Sequence, residues 1–363
     1  MGTNPQSTRR EFLQGKAAGT ALAHLAAEAA PLDCFPAADQ DHYLVKLSRR
    51  AMACEFEIFL NAGQYPHATE VALATLDLVD RLEDQLSVYR PDSEISRLNR
   101  LAFDEPVPVE PRLFALLEQA LAVHAETGGA YDITSSPLSA VWGFTRRAGS
   151  IPDAATLAAA QARVGSQFVE LDPDQQTIRF RIPGIEINLG SIGKGYALDR
   201  CAELLETSGI HDFLLHGGHS SVLARGADSA IAPHQGWLVG VRDPLRIERR
   251  AGQLRLHERA LATSGSGTQF FMHQGRRLSH ILDPRTGWPA EGVLSVSVVA
   301  PSAAVADALS TAMFVMGPQQ AESYCAAHPQ IAAVMFCAGA RAGNAEQHLF
   351  GLGEGQWSSE PKF

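Results

Sequence analysis

Ile187-Asn188-Leu189-Gly190-Ser191-Ile192-Gly193-Lys194-Gly195-Tyr196-Ala197-Leu198-Asp199 carries an apolar run into a glycine-rich turn and out into a helix. Glycines let a backbone approach a ligand closely, and a helix N-terminus favours an anion. Lys194 adds a compact positive charge. The stretch reads as a phosphate cradle or, equally, as a glycine-rich turn with a solvated lysine. Its glycines do not have the Walker spacing. The residues downstream of it decide the fold. The helix predicted from Ile192 to Ser208 stops at Gly209, and strand-like runs then come in series at 212–216, 220–225, 237–242, 253–257, 260–263, 268–273 and 293–300. Strands and helices without regular alternation point to an α+β fold of mixed sheets with packed helices, not to a doubly wound sheet.

Upstream, Tyr43 to Leu60 reads as strand, with period-2 alternation over Cys54-Glu55-Phe56-Glu57-Ile58. A helix is predicted over 66–86, where Leu73, Leu76, Val79, Leu82 and Leu86 make one stripe. Another spans 111–127 and ends at Gly128-Gly129. Strands are predicted at 168–172, 177–182 and 185–189. Downstream, a helix bearing Ala303, Asp307 and Thr311 precedes Gly317, and a final strand covers 331–337. No repeat has a fixed period, and no Pro/Ser-rich linker divides the chain after residue 41. The expected partition is a leader and linker over 1–41, one domain over 42–350 and a tail over 351–363.

The chain has 363 residues, 45% hydrophobic and 19% charged, enough for a sizeable core. Its formal net charge of -10 argues against nucleic acid, which needs clustered Lys and Arg, and against tight docking on anionic lipid. Peripheral membrane contact, or none, is expected. Cys34, Cys54, Cys201, Cys325 and Cys337 form no CxxC pair and have no His cluster nearby. A zinc site or a disulfide scaffold is therefore not expected.

Near the N-terminus, Arg9-Arg10-Glu11-Phe12-Leu13 precedes an Ala-rich stretch from Ala17 to Ala30. That order resembles a twin-arginine export signal, and places the protein in the periplasm or on the outer face of the cytoplasmic membrane. Interrupted by His24 and Glu28, the run is too short to be a permanent span. Asp33 before Cys34 argues against a lipid-attachment box.

Other polar stretches carry chemistry. Asp307 and Thr311 lie at i and i+4, so they share a helix face and offer two hard oxygens. Magnesium suits such a pair, since it keeps waters and takes substrate phosphate oxygens. A helix-favouring Asp and a Thr bonded to its own helix explain the same residues. His280, within Ser279-His280-Ile281-Leu282-Asp283-Pro284-Arg285-Thr286-Gly287, titrates near neutrality and could remove a proton.

Together these segments resemble the ApbE family, the FAD:protein FMN transferases. The similar motifs are Tyr131-Asp132-Ile133-Thr134, Lys194-Gly195-Tyr196-Ala197-Leu198-Asp199, the His280 segment and Ala306-Asp307-Ala308-Leu309-Ser310-Thr311-Ala312. Tyr89 to Asn99 and Leu215-His216-Gly217-Gly218 are also similar. The likeness covers about 43–345. It implies an exported bacterial enzyme that uses magnesium to move FMN from FAD onto a Thr or Ser of an acceptor flavoprotein in a membrane redox complex, releasing AMP. Some relatives hydrolyse FAD instead. By the same resemblance Asp307, Thr311 and the Gly193 carbonyl would hold the metal. His280 would be the base, and Met52, Tyr89, Asp132, Lys194, Asp199 and Ser264 would surround FAD.

The chain departs from the family pattern in places. Met52-Ala53-Cys54 stands for Met-Gly-Thr, His219 for Asp or Asn, and Ser266-Gly267 for an acidic residue and an aromatic. These changes bear on flavin contacts and acceptor choice. They leave open an FAD pyrophosphatase and a flavin-binding protein without turnover.

Overall fold

The computed structural model describes residues 43–229, 235–267, 269–341 and 343–359, so the paired-arginine leader expected over 1–41 lies outside the described residues. The first elements are β1 (Leu44–Ala51), β2 (Cys54–Asn61), α1 (Ala68–Leu86), α2 (Glu94–Leu101) and β3 (Val107–Pro108). Next come α3 (Pro111–Glu126), α4 (Ser136–Val141), α5 (Ala154–Gln161), β4 (Val169–Asp172), β5 (Thr177–Phe180) and α6 (Gly193–Thr207). The strands β6 (Phe213–Gly217), β7 (Ser221–Arg225), β8 (Trp237–Arg242), β9 (Arg250–Leu256), β10 (Arg259–Gly265), β11 (Phe270–His273), β12 (Arg276–Ser279) and β13 (Val293–Ala300) come after α6. The chain closes with α7 (Ala303–Ala327), β14 (Ala332–Ala338), β15 (Ala345–Phe350) and β16 (Trp357–Ser359).

Eight strands build one antiparallel sheet in the order β1-β2-β6-β7-β10-β13-β14-β15. Strand β2, next to the edge strand β1, alternates, burying Phe56, Ile58 and Leu60. Its middle strands β6, β7, β13 and β14 are buried almost throughout, hence their continuous apolar runs. Helix α7 lies on β10 and β13, and α6 lies on β6 and β7 and against α7. The expected α+β class is the one observed.

Several predicted elements differ in detail. No strand forms over 185–189. Ile185, Ile187 and Leu189 are buried, but Asn99 brackets the Ile187 backbone and Ile133 takes the Asn188 N–H. Side-chain and loop partners replace a ladder there. Leu73, in the predicted stripe of α1, is exposed at 47%. The helix before Gly317 continues after it, because Gly317 turns with φ 75° and Pro318 can open a new turn. Trp357–Ser359, within the expected tail, pairs with β9.

Two apolar clusters hold the molecule. The main one joins the large sheet to α1, α3, α6 and α7. A smaller one gathers Leu138, Trp142, Phe144, Ala160, Val164, Leu278 and Leu282 from α4, α5 and the β12 region.

Candidate active site

Helices α6 and α7 cap each other. The Asp199 carboxylate, on α6, accepts from Ser302 Oγ at 2.9 Å and from the N–H groups of Ala303 at 2.7 Å and Ala304 at 2.9 Å. The Asp307 carboxylate, on α7, accepts the Gly195 N–H at 2.7 Å, at the start of α6. Each aspartate thus satisfies donors that the other helix leaves unpaired at its first turn. The crossing is close: a Cβ on Gly195 would lie 2.1 Å from the Ala303 carbonyl oxygen. Only glycine fits there.

Asp307 is buried, and its neighbours are polar. Ser221 Oγ donates to Oδ1 at 2.6 Å, while Lys194 Nζ stands 3.9 Å from Oδ2. One turn on, Thr311 Oγ1 lies 3.3 Å from Ser264 Oγ, which also meets Ser310 Oγ at 2.8 Å. Lys194 thus lies beside Asp307 and Ser264 beside Thr311, with Gly193 opening α6. Met52 and Ala53 form the β1–β2 turn with φ of 49° and 59°. Cys54, next in the chain, feels both Lys194 and Asp307. Burial pushes its thiol up to about 11, Lys194 pulls it down and Asp307 raises it.

His280 comes directly after β12 and sits against the smaller cluster. Its Nδ1 lies 3.0 Å from the Gln269 carbonyl oxygen, and its ring meets Phe144 edge-on at 6.4 Å. A carbonyl only accepts, so Nδ1 carries the proton and Nε2 keeps its lone pair. Gln269 is itself held, its amide donating to the Phe144 carbonyl at 2.6 Å. Burial lowers the His280 pKa, outweighing the Gln269 hydrogen bond that raises it. The imidazole is therefore neutral at pH 7.

Two expected flavin contacts are committed elsewhere. Asp132 accepts from the Thr134 and Ser166 backbones and hydroxyls, at 2.6 to 3.0 Å, and lies 3.2 Å from His124 Nδ1. Its carboxylate ties a loop together. The Asp199 carboxylate is spent on the α7 N-terminus. Tyr89 is 79% exposed. Ser221 and Gly195 touch Asp307 directly; sequence reasoning has Gly195 only as part of the glycine-rich turn and does not single out Ser221. The signal for Ser221 is a hydroxyl, the second of the pair Ser220-Ser221, opening the apolar run Val222-Leu223-Ala224.

The donors suit a hard cation. Each Asp307 oxygen has one hydrogen bond and a lone pair to spare, and the Thr311 hydroxyl and Gly193 carbonyl are hard oxygens too. No trio of His, Cys, Asp or Glu among the described residues could hold a metal. Such a cation would complete its shell with water or substrate phosphate, as magnesium commonly does.

The "ApbE family" model matches residues 52–335. An FAD:protein FMN transferase of Klebsiella pneumoniae (strain 342) is 34% identical over 255 residues, covering 69% of this chain and 71% of that one. One from Treponema pallidum (strain Nichols) is 35% identical over 267 residues, covering 69% and 73%. The ApbE protein of Thermotoga maritima superposes with a TM-score of 0.74 at 28% identity, over 85% of this chain and 97% of its own. The flavin transferase ApbE of Vibrio cholerae gives 0.73 at 27%, over 85% and 98%. With the family model and these relatives in agreement, the chain belongs to the ApbE family.

Proposed function

We propose that this protein is a magnesium-dependent FAD:protein FMN transferase working outside the cytoplasmic membrane. The acceptor is a Thr or Ser hydroxyl on a flavoprotein of a membrane redox complex, and the second product is AMP. The observation that supports this best is a pair of polar contacts one turn apart along α7, near the α6 N-terminus: Lys194 Nζ 3.9 Å from Asp307 Oδ2, and Thr311 Oγ1 3.3 Å from Ser264 Oγ. A helix N-terminus and a lysine suit a pyrophosphate. Bound there by Asp307, Thr311 and the Gly193 carbonyl, magnesium would neutralise the phosphate charge that builds up in the reaction.

The chain's residues supply the rest. Lys194 binds and orients the pyrophosphate. Nε2 of His280 takes the acceptor hydroxyl's proton. The hydroxyl oxygen bonds to the phosphorus of the FMN half while the bond from that phosphorus to the bridging oxygen breaks. AMP leaves with the bond's electron pair. The exposed Tyr89 and the Met52 turn stand ready for the flavin half. The twin-arginine-like leader supports the location, since that route exports folded proteins.

AMP release from FAD should be measured with magnesium, with and without a domain carrying the family's Thr-containing acceptor motif. Release only with acceptor, and flavin left covalently on it, is the expected result. Equal release without acceptor would show a pyrophosphatase. No release under either condition would show a flavin-binding protein without turnover.

A further inference from the structure

We infer that Ser221 is a positioning residue that sets the orientation in which the Asp307 carboxylate meets a divalent cation. The inference rests on the proposed role of Asp307 as cation ligand. Ser221 opens β7 and is fully buried. Its hydroxyl has one proton. Ser220 Oγ, at 3.4 Å, can donate or accept, but an ionised carboxylate only accepts, so the proton goes to Asp307 Oδ1 at 2.6 Å. That length is typical of an O–H donor on a charged oxygen. Ser220 is then left as the donor to Ser221.

The opposite oxygen, Oδ2, is held by the Gly195 N–H at 2.7 Å. Asp307 stands on α7, and its two oxygens are pinned by α6 on one side and β7 on the other. Rotation about the Asp307 Cβ–Cγ bond would break both bonds. The carboxylate is therefore presented in one orientation, with one lone pair of each oxygen unused. Lys194, the nearby cation, approaches only Oδ2, so among the described residues Ser221 alone fixes Oδ1. Without the Ser221 hydroxyl, Oδ1 has no donor and the Gly195 N–H alone holds the plane of the carboxylate. Groups that orient a metal ligand in this way commonly change metal affinity by about 10- to 100-fold when removed.

The test is a titration of the full chain with Mn2+, following free Mn2+ by electron paramagnetic resonance. Ser221→Ala should weaken binding about 10-fold. Ser221→Cys, which keeps the volume but offers only a weak donor, should weaken it as well and serves if the alanine chain does not fold. Ser221→Thr should restore it, which a purely packing role would not predict. Asp307→Ala should abolish it. If the Ala and Cys chains titrate like the unsubstituted protein while Asp307→Ala has lost binding, the positioning role is overturned and the cation site stands. If Asp307→Ala still binds, the cation site itself falls, and the role of Ser221 with it.

Discussion

The residues around Asp307 and those around His280 are held in opposite ways. Asp307 sits where two helices cross over the large sheet. Backbone N–H groups, a glycine contact and a buried hydroxyl fix it, all within the main core. His280 hangs from a small aromatic cluster in which Trp142 donates to the Gly287 carbonyl at 2.7 Å and Phe144 edges the imidazole. The first arrangement leaves little room for adjustment, since short groups at a tight crossing have no spare rotamers. The second depends on a few large side chains. The proposed metal ligand and the proposed base thus draw their rigidity from different parts of the sequence.

Substitutions can break that comparison. Asp307→Ala should take magnesium-dependent AMP release to background while the far-ultraviolet circular dichroism stays unchanged; full activity would remove the metal assignment. His280→Ala should depress flavin transfer by roughly 10²- to 10⁴-fold with FAD affinity unchanged. Equal losses in both would make His280 a binding residue. Because burial lowers the His280 pKa, the imidazole gains its proton only below its usual 6.5. The acid limb of the rate profile should therefore fall below pH 6.5, and His280→Ala should erase it.

Trp142→Ala should cost about 3–5 kcal/mol in urea denaturation. It sharpens the comparison if transfer falls while Mn2+ affinity at Asp307 holds. Parallel losses would mean that the two regions are one. The smallest effect is expected at His124 and Asp132. Asp132 raises the His124 pKa by hydrogen bond and charge, outweighing burial. Folding then gains from His124 fully below pH 6.5 and loses that gain as pH rises through the raised value. For Asp132, burial pushes the carboxyl up, but His124 and Thr134 outweigh it and the net shift is downward. Its contribution is present above the usual carboxylate range and disappears as pH falls through the lowered value. His124→Gln should flatten the alkaline decline in the urea midpoint, and the difference from the unsubstituted protein is the quantity to plot.

Much of the candidate site could be read from the sequence as local pattern. Asp307 and Thr311 share a face by helical spacing alone, and Gly193-Lys194-Gly195 at a helix start is the pattern of an anion cradle or of a plain glycine-rich turn. Periodicity also placed α1, α3, α6 and β13 near their observed bounds. Short elements escaped: α2, α4 and α5 have at most eight residues, too few for a clear period. The 185–189 run failed for another reason. Its burial pattern is that of a strand, but its partners are a side chain and a loop distant in sequence.

The sequence by itself determined the class of fold, the order of the longer elements and the polar groups available at their ends. It did so because hydrophobic period and turn chemistry act over a few residues. Only the tertiary structure decided that Asp132 and Asp199 bind their own chain, and that Ser221 and Gly195 hold Asp307. The partners of Asp199 and Asp307 lie far apart along the chain, 112 positions apart for Gly195 and Asp307. A carboxylate looks the same in a sequence whether it meets a ligand or caps a helix. Which of the two it does depends on the donors that folding brings within about 3 Å.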